Sequence, residues 1–418
     1  MTFRLVLGCF GICGLLGFAT DASAATLTYR SGHSLFTIES NAYPSWKLPR
    51  ERWFYEGKAI APIPEMLVEG DAPIALPEKI TRVSLPSWDL VAIAATLRQR
   101  IATPFYRAPH DVTIRKTATG GIVFDGIGML GRTVNLQRAA TLTVQALESG
   151  QTEIELPVEE LQPTVTVEDP TLREQGIREI VMIGESDFTN SPVNRRHNIA
   201  TGLSKFNGTL IPKDAVFSFN TVLGKVGPQT GYRKELVILG DHTLPDYGGG
   251  LCQVSTTAYR GAWEEGFPIM QRRNHSYVVS YYSPPGSDAT IYPPARDMRF
   301  TNDGPGALLI QTHREGNRAY FIYYGTRDTR KSLLLGPYMS NFREPPPDRE
   351  EVTTEIAPGE RRKVGDRHAG MNVLWLRIIT SPDGSEKVER FFSGYEARPL
   401  FHQVGVEAGE IPVLENNL

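Results

Sequence analysis

Cys252 stands in the run Gly248-Gly249-Gly250-Leu251-Cys252-Gln253, where three glycines deliver the chain to a thiol that opens a helical stretch. The chain has three cysteines, and the other two, Cys9 and Cys13, fall within an apolar N-terminal leader. An exported, processed form would therefore keep one thiol, which has no partner for an internal disulfide. Such a thiol is a reactive group, an intermolecular bridge or a small core side chain. Reactivity requires the thiolate, so the surroundings must lower the thiol pKa. A helix N-terminus does this through its unpaired N–H groups and the positive end of its dipole. Glycines at 248 to 250 permit positive φ and close approach of a substrate chain. The N–H groups around Gly249, Gly250 and Cys252, with the amide of Gln253, are candidates to hold the oxyanion of an acyl transfer. The base this chemistry needs is His275, 23 residues further on across a helix and a turn.

Each piece has a plainer alternative. A glycine run is often only a turn, and His275 alone reads equally as a strand-capping residue. Arg272-Arg273 is most simply a solvated turn, although Arg273 could grip a substrate carboxylate with its guanidinium fork. The eight histidines stand at 33, 110, 197, 242, 275, 313, 368 and 402, with no pair at metal-ligand spacing and no CxxC. No dedicated metal site is expected, and Asp241, His242 and Asp246 read as an ordinary polar loop. No cofactor is expected either, since there is no phosphate-cradling loop, no nucleotide fingerprint and no Gly-x-Ser-x-Gly elbow.

The elements that must place these residues follow from pattern. Ser191 to Ile199 lead into a helix ending near Phe206, Asn207-Gly208 turns, and Val216 to Asn220 reads as a strand. Leu236 to Leu239 follows the turn at Gly231-Tyr232. A helix is expected over 252 to 265, closed by Gly266, with His275 heading a strand Ser276 to Tyr282. Asp288 to Ile291 would return as its partner after Pro284-Pro285-Gly286. Two more strands, Ala307 to Thr312 and Ala319 to Tyr324, complete this unit. Upstream, Leu90, Ile93, Leu97 and Ile101 recur at helical spacing until Pro104. Strands at Asp111 to Lys116 and Gly121 to Phe124, a helix over Asn135 to Leu147 and a strand Glu153 to Val158 follow. Residues 26 to 84 read as irregular. After the proline-rich link at 344 to 347 comes a final β-like segment.

With 39 glycines and 30 prolines among short Val/Ile/Thr/Tyr runs, the expected class is α+β, multi-domain and strand-rich. The 418 residues suffice for two or three domains. The expected divisions are a signal peptide at 1–24, an irregular segment at 25–84, a small α+β module at 85–170, a central mostly-β domain at 171–330 and a linker with a small β module at 331–418. Arg4, the apolar stretch Leu5 to Ala19 and Ala22-Ser23-Ala24 make the leader an export signal, placing the mature chain in the periplasm or cell envelope. No later stretch is long and apolar enough to span a bilayer. A net charge of −3 from 44 basic and 47 acidic residues gives no reason to expect a nucleic-acid partner. Nothing in the sequence sets an oligomeric state.

The run from Ile180 to Gly325 resembles the VanW-like family of bacterial envelope proteins. The matching pieces are Arg195-x-His197-Asn198-Ile199, Val216-Phe217-Ser218-Phe219-Asn220, Gly231-Tyr232, Gly248-Gly249-Gly250-x-Cys252-Gln253-Val254-Ser255-Thr256-Thr257, Arg273-x-His275-Ser276, Asp288-Ala289-Thr290 and Asp297 followed by Phe300-x-Asn302. Residues 85 to 165 are similar, less distinctively, to the peptidoglycan-binding module found ahead of such domains. The segment near 350 to 406 is weakly similar to a five-glycine wall module. The family takes its name from an accessory component of glycopeptide (vancomycin) resistance clusters, which implies no mechanism. Some members are L,D-transpeptidases acting through the cysteine at the position of Cys252. The resemblance thus implies work on peptidoglycan stem peptides by transfer, with hydrolysis or non-catalytic wall binding as the alternatives. On the transfer reading Arg195, Asn220 and Tyr232 are candidates to line the site, against roles as turn and core residues, and Asp288 would orient His275.

Overall fold

A computed structural model describes residues 25–61, 79–239 and 242–407. The expected export signal and the tail from Pro412 lie outside the described residues. The chain divides into two compact units, neither of them contiguous in sequence. One takes the chain up to Arg30 with Phe36–Pro104 and Val134–Pro157; the other takes Ser31–Leu35, Phe105–Thr133 and everything from Val158.

Most of the described residues in the stretch read as irregular are strand. Thr26–Ser31 pairs in parallel with Glu153–Glu155, and Lys47–Tyr55 lies between Lys58–Ile60 and Ile80–Trp88. Prolines punctuate this segment, as at Pro49 opposite Pro86, and they masked its strand pattern. The first helix, Leu90–Leu97, is capped by the Asp89 carboxylate, which accepts from the N–H groups of Val91 and Ala92. Its Ile93 and Leu97 are buried, while Leu90 is 45% exposed, so the apolar face begins one turn later than the spacing suggested. The chain stays helical through Pro104 to Phe105. Helix Leu136–Ser149 is capped by Asn135 and stopped by Gly150 at φ +72°.

In the second unit a four-stranded sheet runs in the order Glu179–Asp187, Arg318–Gly325, Leu308–Glu315, Leu210–Ile211. Helix Leu251–Glu264 lies on it with nearly every residue buried. Two glycines set how closely the layers approach. A Cβ on Gly184 would sit 1.9 Å from the carbonyl oxygen of Thr257, and one on Gly261 would sit 2.8 Å from the Gly184 nitrogen. Several buried polar residues of the helix have partners: Thr257 bonds Ser186, and Ser255 and Thr256 both reach the carbonyl of Ala289. Helix Val193–Ser204 packs against the start of this helix, with Gly202 beside Leu251 and Val254.

Two expectations for the segment after His275 do not hold. Ser276 to Tyr282 is not a strand but a loop with a single 3₁₀ turn at Ser280–Tyr282, and Asp288 to Ile291 forms no returning strand. The backbone groups there are satisfied by side chains instead of a ladder. Arg260 donates to the carbonyls of Tyr282, Ser283 and Ser287, and Arg272 donates to those of Gly286 and Asp288. Likewise Val216–Ser218 is strand, but Phe219–Leu223 turns into a short helix capped by Ser218.

Beyond Gly325 two three-stranded sheets follow. One comprises Lys331–Arg343, Gly370–Thr380 and Glu386–Tyr395, the other Arg349–Thr353, Phe401–Gly405 and Arg361–Gly365. The first does not pack apart. Leu334, Val373, Trp375 and Tyr395 belong to the same core as Val254, Tyr259 and Trp263. The Trp263 and Trp375 rings meet edge to face at 5.3 Å. Buried Arg377 donates to the carbonyls of Trp263 and Phe267 at the C-terminal end of the central helix, where a cation is favoured. No helix among the described residues is long and apolar enough to cross a membrane.

Candidate active site

Cys252 is the second residue of helix Leu251–Glu264, partly exposed at the helix start. Gly248 and Gly250 take φ of +85° and +109°, which explains glycine at both. The space their hydrogens leave is filled by the protein itself. A Cβ on Gly249 would lie 2.7 Å from the Leu236 carbonyl oxygen, and one on Gly250 would lie 2.9 Å from Cγ of Arg195. The close approach inferred for a substrate is thus made by Leu236 and by Arg195 of helix Val193–Ser204.

The sulfur meets Thr290 Oγ1 at 3.4 Å and the Ile291 carbonyl oxygen at 3.8 Å, and its ionisation is coupled to that of His275. His275 is buried, its ring stacked on Tyr282 with centroids 4.5 Å apart. Its Nδ1 lies 2.5 Å from Asp288 Oδ2, which also accepts from the His275 backbone N–H at 2.7 Å. The other carboxylate oxygen accepts from Arg272 at 3.2 Å and from the Tyr395 hydroxyl at 2.6 Å. Imidazole and carboxylate are therefore joined by a hydrogen bond that fixes the ring, and the cysteine is coupled to that ring.

Burial pushes the Cys252 thiol up, but the hydrogen bond and positive charge of His275, with the Thr290 hydroxyl, pull it down to about 7. Burial pushes His275 down, and its bond to Asp288 with the bond and charge of Cys252 raises it to about 9. Burial alone would raise Asp288; the His275 bond and charge, then Arg272 and Tyr395, hold it far below the usual carboxylate range. Between those two values the sulfur is thiolate and the ring imidazolium. This arrangement supplies a nucleophile and, beside it, a proton for a leaving amine.

The other sequence candidates fall into place differently. Gln253 is fully buried: its amide oxygen accepts from Arg195 at 2.9 Å and its nitrogen donates to the Asp187 carbonyl. Both ends are engaged, so that amide is not free to hold an oxyanion. The backbone N–H groups of Leu251 and Gln253 turn back to the carbonyls of Gly248 and Gly250. Arg195 is buried, braced by Ser191 and Gln253, and reaches the Tyr282 hydroxyl at 3.4 Å. It therefore supports the ring on which His275 stacks. Asn220 bonds Arg296 and Asp297, Tyr232 lies in the core, and no hydrogen bond joins either to the thiol or the imidazole. Arg273 is exposed, whereas Arg272, read as part of a solvated turn, is buried against Asp288. Thr290, Tyr282 and Tyr395 were not singled out from sequence as site residues; of these only Thr290 lay in a quoted motif. The group Asp241, His242 and Asp246 lies partly outside the described residues.

Comparison with known proteins places this site in context. Residues 194–324 match the family model described as VanW like protein. The chain is also 32% identical over 139 residues to the uncharacterized protein YoaR of Bacillus subtilis (strain 168), an overlap of 33% of this chain and 46% of YoaR. The chain thus spans about half the length of that curated relative. No solved structure matches.

Proposed function

We propose that the VanW-like domain of this chain is a cysteine acyltransferase of the L,D-transpeptidase type acting on peptidoglycan stem peptides. The observation that supports it is the series Cys252–His275–Asp288 at a helix start, with a thiol drawn down to about 7. The Cys252 thiolate attacks the carbonyl carbon of the third stem residue, and a C–S bond forms. The C–N bond to the terminal D-alanine breaks, and that amine leaves with the proton held by His275. An amine of a second stem then attacks the thioester and gives its proton to His275. The C–S bond breaks, restoring the thiolate and leaving a cross-link. Asp288 holds the ring in the required tautomer throughout. The Cys252 N–H at the helix start is the candidate oxyanion donor. Export by the leader at 1–24 into the periplasm or envelope, and wall binding by 85–170, belong to the same proposal. No cofactor is invoked.

Cys252 is partly exposed, so water is the natural competitor of the acceptor amine. Incubating the purified protein with tetrapeptide muropeptides and weighing the products separates the outcomes. Cross-linked dimers are expected, and their loss in Cys252→Ala. Tripeptides alone mean hydrolysis by the same residues. Unchanged tetrapeptides, with sacculus binding equal in Cys252→Ala, mean a wall-binding role and contradict the proposal.

A further inference from the structure

One of the two hydrogen bonds to Asp288 Oδ1 comes from outside the segment matched to the family. That match ends at residue 324, yet Tyr395, the last residue of strand Glu386–Tyr395, reaches back into the site. Its hydroxyl donates to Asp288 Oδ1 at 2.6 Å and accepts from the Gly286 N–H at 2.7 Å. One oxygen thereby closes the loop 286 to 288 on itself. Two residues earlier in the same strand, Ser393 Oγ accepts from Arg272 at 2.7 Å, and Arg272 in turn donates to the Asp288 carbonyl at 2.6 Å. The Gly394 carbonyl accepts from Asn274, and the Glu396 N–H donates to the Ser276 carbonyl. Both arms of the loop that presents His275 and Asp288 are thus tied to one strand. Burial and the adjacent carboxylate push the Tyr395 phenol far above its usual range, so it remains a donor.

We infer that Tyr395, with Ser393, is a positioning residue for the Cys252–His275–Asp288 series, and that the functional unit extends through strand Glu386–Tyr395. This rests on the thiol chemistry proposed above. Removing the tyrosine hydroxyl leaves two buried groups, the Gly286 N–H and Asp288 Oδ1, without that partner. Buried polar groups left in this way drive the backbone to relax toward new partners. Here relaxation draws Asp288 off His275, and the thiol loses part of the stabilisation of its ionised form. The groups facing Asp288 are His275, Arg272 and Tyr395, with the charge of Arg260 and the ring of Tyr259 nearby on the central helix.

The test is the pH profile of iodoacetamide alkylation at Cys252 in the full chain, followed by mass on the peptide that contains it, with urea unfolding in parallel. In Tyr395→Phe the midpoint should rise by roughly half a unit or more, cutting the rate at pH 7 by about twofold, short of the shift in Asp288→Asn. Ser393→Ala, which deletes one hydroxyl and should fold even where Tyr395→Phe does not, should shift the midpoint in the same direction by less. A Tyr395→Phe profile superimposed on wild type, with only the urea midpoint lowered, would show a purely structural tyrosine and overturn the inference. An unshifted profile in Ser393→Ala, where Tyr395→Phe fails to fold, overturns it too. A wild-type midpoint near 9 is a separate result: it removes the thiol chemistry itself.

Discussion

At the scale of single residues, the chemistry is set by how three side chains share protons. A thiol lowered from its ordinary value of 9.0 to about 7 is protonated below that pH and ionised above it. Alkylation of Cys252 should therefore rise with pH through a midpoint near 7, and Asp288→Asn should move that midpoint toward 9. Asparagine keeps the shape of the carboxylate but removes the charge that holds His275 as imidazolium. His275→Gln should shift it at least as far. The sequence made Cys252 and His275 legible because a lone thiol after glycines with a histidine downstream is a recognisable pattern. Asp288 was named only as a guess across a hairpin that the structure does not contain. Arg272 was misjudged because adjacent arginines look solvated until the fold shows where each points. Gln253 and Arg195 were marked as substrate groups, yet they bond each other, since a buried guanidinium and a buried amide satisfy one another.

At the scale of elements, the helix that carries Cys252 depends on backbone contacts that only glycine permits. Gly184→Ala would place a methyl group 1.9 Å from the Thr257 carbonyl, forcing sheet and helix apart. It should lower stability by about 3 kcal/mol or more, read from the urea midpoint. Gly250→Ala combines φ of +109° with a Cβ 2.9 Å from Arg195. It should cost about 1–2 kcal/mol and slow Cys252 alkylation at pH 7 by disturbing the helix start. The helices at 193 and 251 were legible from their turn and glycine signals. The loop 276 to 291 was not. Its aromatic and β-branched residues favour strand, but Arg260 and Arg272 from elsewhere in the chain satisfy its carbonyls, and local pattern cannot reveal such donors.

At the scale of the whole molecule, composition foretold a strand-rich α+β chain, because many glycine and proline turns separate short Val/Ile/Thr/Tyr runs. The extent of the units was less legible. Residues 105 to 133 pack with the chain beyond Val158, and contact across such distances leaves no local mark. The segment after 331 was read as a linker and small β module; its Trp375, Arg377 and Tyr395 close over the central helix. A chain ending at Arg330 should accordingly lose cooperative unfolding and resistance to proteolysis, instead of leaving an intact domain. The full chain is therefore the object on which the proposed chemistry is best judged. Incubated with a peptidoglycan tetrapeptide in the absence of an acceptor amine and quenched in acid, it should show by intact mass one added acyl fragment, mapped to Cys252, with one free D-alanine released. Tetrapeptide recovered unchanged beside an unmodified thiol that alkylates readily would contradict the account.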